Sequence, residues 1–461
     1  MKNLIVIGAG PAGMSAAATA ARGGAKVLLL DEQPHPGGQI FRNITRNRNT
    51  LPHLGPDYAK GLEQAEALQH PNLTCRFGST VWRIDDGRAK DGPRVAYSQN
   101  GKSQSVAARH VLIATGAQER PTPFPGWTLP GVMPAGAAQI LMKSSDLIPR
   151  EAILAGTGPL LYLIAAQMID AGTPPLALVE TQTSSMMARA LSKMPRAMID
   201  RQQVFKGLSL LRKIQKAGVR RYTAAQEFRA RPQGDGLTFT FTSKGKEHVL
   251  HCALLLCHQG IVPSTNLTRS AGIPHQWNVT QLCWQPTHDD DGRTDRPGLW
   301  VAGDGAGIFG ADAACAQGVI TANAILCALD DLSPDIARHI NAHALNRRFR
   351  ADALRPFLDA AYAPAPEFLS PVDETILCRC EEITAGQVRV AASNGAEGPR
   401  QMKTATRAGM GPCQGRMCDL SVTTTLAAHS GRHPTDLGPH RARSPCKPVT
   451  LGELSRLDLG D

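Results

Sequence analysis

The stretch Leu4-Ile5-Val6-Ile7-Gly8-Ala9-Gly10-Pro11-Ala12-Gly13 decides the fold. Its four branched apolar residues read as a short buried strand, and the Ala-rich run Ala12 to Arg22 reads as a helix. Gly8 permits the tight turn between them. Gly10 lets the backbone approach a pyrophosphate, and Gly13 lets helix and strand pack closely. The helix N-terminus then offers unpaired N–H groups and a positive dipole end to phosphates. A second strand, Val27 to Leu30, runs into Asp31, 18 residues past Gly13, where a carboxylate accepts hydrogen bonds from a ribose; Glu32 is the neighbouring alternative. Gly8, Gly10, Ala12, Gly13 and Asp31 or Glu32 are therefore expected to bind a dinucleotide. The glycines alone do not separate FAD from NAD.

Outward from this unit, strand-like runs alternate with helical stretches to about residue 330, the pattern of doubly wound parallel sheets. The unit returns 148 residues later as strand Ala152 to Ala155, helix Leu160 to Ala171 and strand Leu176 to Val179, which predicts a second dinucleotide-type domain. Here the loop is Gly156-Thr157-Gly158-Pro159-Leu160-Leu161. Leu161 stands where the third glycine belongs, although Glu180 ends the following strand. The fold is expected to persist while NAD(P) binding is lost. Beyond residue 330 come a basic helix or helix pair, Ile336 to Ala361, and a Pro/Ala linker, Ala361 to Pro366. A cysteine-bearing module and a Pro- and Arg-rich tail, expected to be an extended strap, complete the chain.

With 461 residues, the chain has room for about three domains. Low aromatic content, 5%, beside 44 Gly and 33 Pro suits α/β cores built from Ala, Leu, Ile and Val. The charge is 50 − 39 = +11, and part of the excess lies between Arg189 and Arg231. That stretch carries no nucleic-acid motif, so it reads as a solvated helical face, or more sharply as a docking face for another protein chain. No secretion leader precedes Leu4, and a turn at Gly156 to Pro159 divides the apolar run Ile153 to Ile169. A soluble, cytoplasmic protein is expected, any membrane contact being peripheral and at the inner face.

Seven of the eleven cysteines are scattered: Cys75, Cys252, Cys257, Cys283, Cys315, Cys327 and Cys446. The other four form a pattern, Cys378-Arg379-Cys380 and Cys413-Gln414-Gly415-Arg416-Met417-Cys418, the two pairs separated by 32 residues. Four thiolates hold Zn²⁺ or an iron–sulfur cluster. Zinc modules usually use two CxxC knuckles, so this spacing favours a [2Fe–2S] cluster on Cys378, Cys380, Cys413 and Cys418, with zinc as the alternative. Gly409, Gly411 and Gly415 suit close backbone approach to sulfide. Arg379, Lys403, Arg407 and Arg416 offset the negative charge of a thiolate-ligated cluster.

Three further motifs follow in order: Pro36-Gly37-Gly38-Gln39, the strand from His110 ending in Ala114-Thr115-Gly116, and Leu299-Trp300-Val301-Ala302-Gly303-Asp304. Together they resemble the flavoproteins of the glutathione and thioredoxin reductase type. That resemblance implies FAD, with Asp304 on the ribityl chain and Gly303 permitting close approach. Gly38 and Gln39 would lie near the flavin or its phosphates, and Thr115 and Gly116 would line the same site. Such reductases carry a CxxC dithiol beside the flavin, and this chain has none. Residues 377 to 426 resemble the bacterioferritin-associated-ferredoxin-like [2Fe–2S] domain, on both cysteine pairs and Ala408-Gly409-Met410-Gly411.

The combination resembles the α (A) subunits of heteromeric amino-acid dehydrogenases: opine oxidase, hydrogen cyanide synthase, and D-hydroxyproline or proline dehydrogenases. The likeness includes Pro36 to Ile40, Val301 to Gly307 and Lys447-Pro448-Val449. It implies two kinds of partner, an FAD amine-oxidase-like β subunit together with a further small one, and a quinone or other electron acceptor. No residue of this chain is nominated for acid–base catalysis. The expected architecture is α/β: an FAD domain over 1–120 and 285–335, an NAD(P)-type domain over 121–284, a helical region and linker over 336–370, a [2Fe–2S] domain over 371–430 and a tail over 431–461. The expected function is electron transfer within a heteromeric complex. An NAD(P)H-dependent reductase feeding its own cluster is the alternative, kept open by Glu180. A scaffold with decayed cofactor sites conflicts with the intact first loop.

Overall fold

The computed structural model describes residues 2–47, 51–85 and 92–457. Its first sheet is centred on the strand Lys2–Ile7, which pairs in parallel with Val27–Asp31 on one side and with the end of the long strand Lys102–Ile113 on the other. Leu73–Phe77 extends the sheet beyond Val27–Asp31, and Leu299–Val301 joins Lys102–Ile113 in parallel. The first half of Lys102–Ile113 pairs antiparallel with Arg94–Gln99, which in turn pairs with Thr80–Asp85. One strand thus serves two sheet segments. Leu4, Ile5 and Val6 are fully buried because helices or strands cover both faces of a parallel sheet.

The helix Pro11–Arg22 crosses one face and packs along Ala311–Ala328. Both are lined with small residues, and a Cβ on Gly318 would run into the carbonyl of Ala12. Ala311–Ala328 is the one described helix long and apolar enough to cross a membrane, yet 67% of it is buried, in the core beneath the first sheet.

The second sheet is all parallel: Arg220–Tyr222, Ala177–Glu180, Ala152–Thr157, Leu254–Gln259 and Val132–Pro134, in that order. The apolar run at residues 153–169 is split as its Gly-Pro turn demands, into the strand Ala152–Thr157 and the helix Pro159–Asp170. A three-stranded antiparallel meander, Ala225–Gln233, Gly236–Ser243 and Lys246–Cys252, closes one core of this region. The basic stretch after Ala177–Glu180 forms exposed helices, chiefly Ser184–Leu191 and Arg201–Lys216.

The basic region beyond residue 330 is a helix pair, Pro334–Ile340 and Ala342–Ala361. The cysteine-bearing module is a small hairpin, Ile376–Cys378 with Ile383–Thr384, followed by the helices Ala385–Ser393, Pro399–Thr406 and Asp419–Ser430 around its own core. Between the pair and the module, the linker places Phe368, 2% exposed, against Phe124 and Phe228 in the meander's core.

Phe368→Ala should cost about 3–5 kcal/mol, because it removes a buried aromatic from a well-packed site. A thermal midpoint equal to that of the parent chain would mean that the linker does not pack there.

Candidate functional site

The first glycine loop is held by its own acid. Asp31 accepts from the N–H of Ala9 at 2.5 Å and from that of Gln33 at 2.7 Å. Burial pushes its carboxyl above the usual range, against those two N–H groups. Gly8 adopts φ +104°, a conformation that disfavours any side chain, and a Cβ there would strike the carbonyl of Ala114. Three other loops converge on this one. A Cβ on Gly38 would stand 2.7 Å from Gly10 Cα, and one on Gly303 would stand 2.6 Å from Ala12 Cβ. One on Gly305 would reach the backbone of Gly116 at 3.2 Å. Gly8 to Gly13, Gly38 and Gln39, Thr115 and Gly116, and Gly303 and Asp304 are thereby brought together at the C-terminal ends of the parallel strands, where α/β sheets bind their ligands. Asp304 accepts from the N–H groups of Phe309 and Gly310, at 3.0 and 2.9 Å.

Two cations at this site escaped sequence reasoning. Arg42 is 8% exposed; it donates to Gln39 Oε1 at 2.8 Å, and its Nε is buried with no partner. Burial lowers its basicity, while Asp31 and Glu32 act to raise it. An orphaned guanidinium N–H beside a phosphate-binding loop fits an anionic dinucleotide. Lys143, on the helix Ala135–Ser145, donates to the carbonyl of Gln39 at 3.1 Å and to Gln139 Oε1 at 2.9 Å. Both acceptors are neutral. Burial first, then Arg42, pull the Lys143 ammonium down to about 7. Arg42 stands three residues past Gln39, close enough to be read as part of that motif; Lys143 carries no local signal.

The second glycine loop is occupied by the chain itself. Leu161 is 1% exposed in the core. Glu180, also 1% exposed, accepts from Tyr162 Oη at 2.6 Å and from Arg221 Nε and Nη2 at 2.9 and 3.0 Å. His258 lies over Gly158, so that a Cβ there would meet the imidazole at 3.1 Å. Its Nδ1 shares a 2.6 Å hydrogen bond with Glu119, whose other oxygen accepts from Gly136 N–H at 2.9 Å. The linker closes the crevice: Tyr362 meets Tyr162 edge-on at 6.1 Å, and Ala365 N–H donates to Gln259 Oε1 at 3.1 Å. The acid that ends the strand Ala177–Glu180 is thus paired within the chain.

The four cysteines meet as two couples, Cys378 with Cys418 and Cys380 with Cys413. The hydrogen bond from Cys418, then the backbone N–H groups of Gly409, Glu381 and Cys380, bring the Cys378 thiol down to about 5. Among the described residues, no group of three or more His, Cys, Asp or Glu side chains is placed to hold a metal ion. Gly411 admits no side chain, because a Cβ would collide with Cys380. Arg379 covers the ring of Trp127 at 5.3 Å, and Arg407 pairs with Glu381 at 2.8 Å.

This module is seated beside the first site. Gln118 Nε2 donates to the carbonyl of Arg416 at 2.7 Å, and Asn266 Nδ2 to that of Gln414 at 3.3 Å. Ser264, two residues before Asn266, donates its N–H to the carbonyl of Gly116 at 2.9 Å. A buried ion pair, Arg269 with Asp419, anchors the same contact.

A flavin-type crevice, a retained but filled second nucleotide domain and a small cysteine module define an FAD-binding oxidoreductase of the two-dinucleotide-domain class. Residues 2–318 match the pyridine nucleotide-disulphide oxidoreductase family, and residues 374–456 match the sarcosine oxidase A3 domain. The opine oxidase A chain of Rhizobium meliloti is 44% identical over 99% of this chain and 87% of its own length; that of Agrobacterium tumefaciens is 44% identical over 99% and 92%. The HcnB chain of hydrogen cyanide synthase from Pseudomonas aeruginosa is 31% identical over 98% of both chains. Among solved structures, L-proline dehydrogenase from P. horikoshii superposes with a TM-score of 0.70 at 18% identity, over 98% of this chain and 79% of that one, a likeness of fold. The chain belongs to the pyridine nucleotide-disulphide oxidoreductase family, and within it to the group of opine oxidase A chains.

Folded, the chain releases the Lys143 proton near pH 7, whereas the unfolded chain keeps it to about pH 10. Stability linked to this lysine is therefore lowest below pH 7 and rises as pH climbs through that window. Urea denaturation should show the parent chain gaining on Lys143→Met between about pH 7 and about pH 9. A difference independent of pH would show that Lys143 keeps its ordinary basicity.

Proposed function

We propose that this chain is the electron-transfer subunit of a heteromeric amino-acid dehydrogenase or oxidase of the opine, hydroxyproline/proline or glycine type. It takes electrons from a primary or secondary amine oxidised on an FAD amine-oxidase-like β subunit, and delivers them to a quinone or other acceptor. A further small subunit completes the assembly, which works in the cytoplasm with at most peripheral contact at the inner face of the membrane. Gly8, Gly10, Ala12, Gly13, Asp31, Glu32, Gly38, Gln39, Thr115, Gly116, Gly303 and Asp304 hold FAD. Cys378, Cys380, Cys413 and Cys418 hold a [2Fe–2S] cluster. When bound, these groups supply two-electron and one-electron redox chemistry. The chain's own residues bind them and set the spacing between the two sites.

The observation that carries this reading is the seat of the cysteine loop: Arg416 and Gln414 are held by Gln118 and Asn266, next to the Thr115–Gly116 turn. Electron transfer needs such proximity, and a scaffold with decayed sites does not. The filled second crevice speaks against an NAD(P)H-dependent reductase.

An anaerobic visible spectrum of the purified chain should show flavin with an added red-shifted iron–sulfur envelope, unbleached by excess NADH or NADPH. Rapid bleaching by either nucleotide would hand the function to the reductase reading. Cys413→Ser should remove the iron–sulfur envelope and the amine-dependent turnover of the assembled complex, leaving the flavin bands in place. Retention of the full spectrum in that variant would remove Cys413 from the ligand set.

A further inference from the structure

The C-terminal tail is packed onto both candidate cofactor sites at once. After the helix Asp419–Ser430 it lays His440, 6% exposed, against the cysteine loop, where a Cβ on Gly415 would stand 2.6 Å from the imidazole Nδ1. Arg269, which pairs with Asp419, also donates to the carbonyl of His440 at 3.3 Å. Further on, the carbonyl of Pro445 accepts from Gln414 Nε2 at 2.6 Å. Cys446 donates its N–H to the carbonyl of Trp82 at 2.9 Å and is 3% exposed in the second core of the first sheet. Lys447 then pairs with Glu32, just past the strand Val27–Asp31. A run of eight residues, 440–447, thus bridges the loop that carries Cys413 and the acid beside Asp31.

We propose that Lys447 is a positioning residue for FAD, acting through Glu32, and that the strap 440–447 makes FAD retention depend on the seating of the cysteine loop. This rests on the reading that Glu32 faces the ribose. A half-exposed glutamate has several rotamers, and fixing one in advance spares the bound state that entropy. Lys447 fixes it because the preceding residue is buried, so the ammonium is delivered on an anchored backbone. An exposed ion pair alone contributes little. The strap adds to it, since withdrawing Lys447 fully also strains the Cys446 anchor and the Gln414–Pro445 hydrogen bond. The cysteine loop at one end and the adenosine end of the crevice at the other therefore open together.

The test measures the rate of FAD release from the full-length holoprotein, read as recovery of free-flavin fluorescence after dilution. Lys447→Met should release FAD about three- to fivefold faster. Glu32→Gln should do the same, and the double variant should be no faster than the faster single one, as expected for a coupled pair. Gln414→Ala, at the far end of the strap, should also speed release, by about twofold. If Glu32→Gln speeds release while Lys447→Met does not, the latch is overturned and the ribose reading stands. If neither changes the rate, the ribose reading falls and takes the latch with it. Release unchanged in Gln414→Ala, with Lys447→Met fast, overturns the coupling between the sites. Deleting the tail after Arg443 would also uncover the core at Cys446, so the point variants carry the decision.

Discussion

The close approach of two small-residue helices, Pro11–Arg22 and Ala311–Ala328, governs much of what surrounds it. Because Gly318 has no side chain to hold Ala12 away, the Gly303-Asp304 turn can reach the glycine loop of the first strand. Four chain segments far apart in sequence then meet at one crevice. A single methyl group at Gly303 or Gly38 would have to displace backbone or side-chain atoms of a neighbouring loop. The crevice is narrow for a steric reason, and a close-packed interior gives it little room to adjust.

In the second domain the strand–loop–helix unit keeps its fold while its acid is paired within the chain. A buried carboxylate cannot be left bare, since desolvation without partners is costly. Glu180 accepts from Tyr162 and Arg221, and Tyr362 of the linker packs edge-on against Tyr162. His258, paired with Glu119, lies close over Gly158 of the loop. The sheet remains because its strands are buried on both faces, and because the linker and the antiparallel meander share a core with it. The domain also serves as a platform, presenting Trp127 to the cysteine module on one side.

The cysteine module gains from this platform what its own size cannot supply. Its core is small, and its contact with the rest of the chain is polar and specific: a carbonyl at each of Ile376, Gln414 and Arg416 accepts from a side chain of the larger body. The hydrogen bond from Cys418, and after it the backbone N–H groups that point at Cys378, favour its thiolate form. Loop conformation also sets the sulfurs' spacing, with glycine at position 411 admitting Cys380 to close range.

Local features were legible in the sequence wherever a motif must act within a few residues. The glycine spacing after Ile7, the acid at Asp31, the loss of the third glycine at Leu161 and the paired cysteines each state a local steric or chemical demand, which residue type and spacing reveal directly. What the sequence left undetermined depends on contacts across long separations. Asp31 read as the ribose acid with Glu32 as its alternative; folding buries Asp31 on backbone N–H groups and leaves Glu32 to Lys447. Arg42 and Lys143 look ordinary in the chain and become buried cations only when Gln39 is brought against the helix Ala135–Ser145. The filling of the second crevice by Tyr362 and His258, and the path of the tail to Glu32, likewise have no local signature. A motif records what one segment requires of its ligand or its own turn; which distant side chain meets it is decided by packing, and packing exists only once the whole chain has folded.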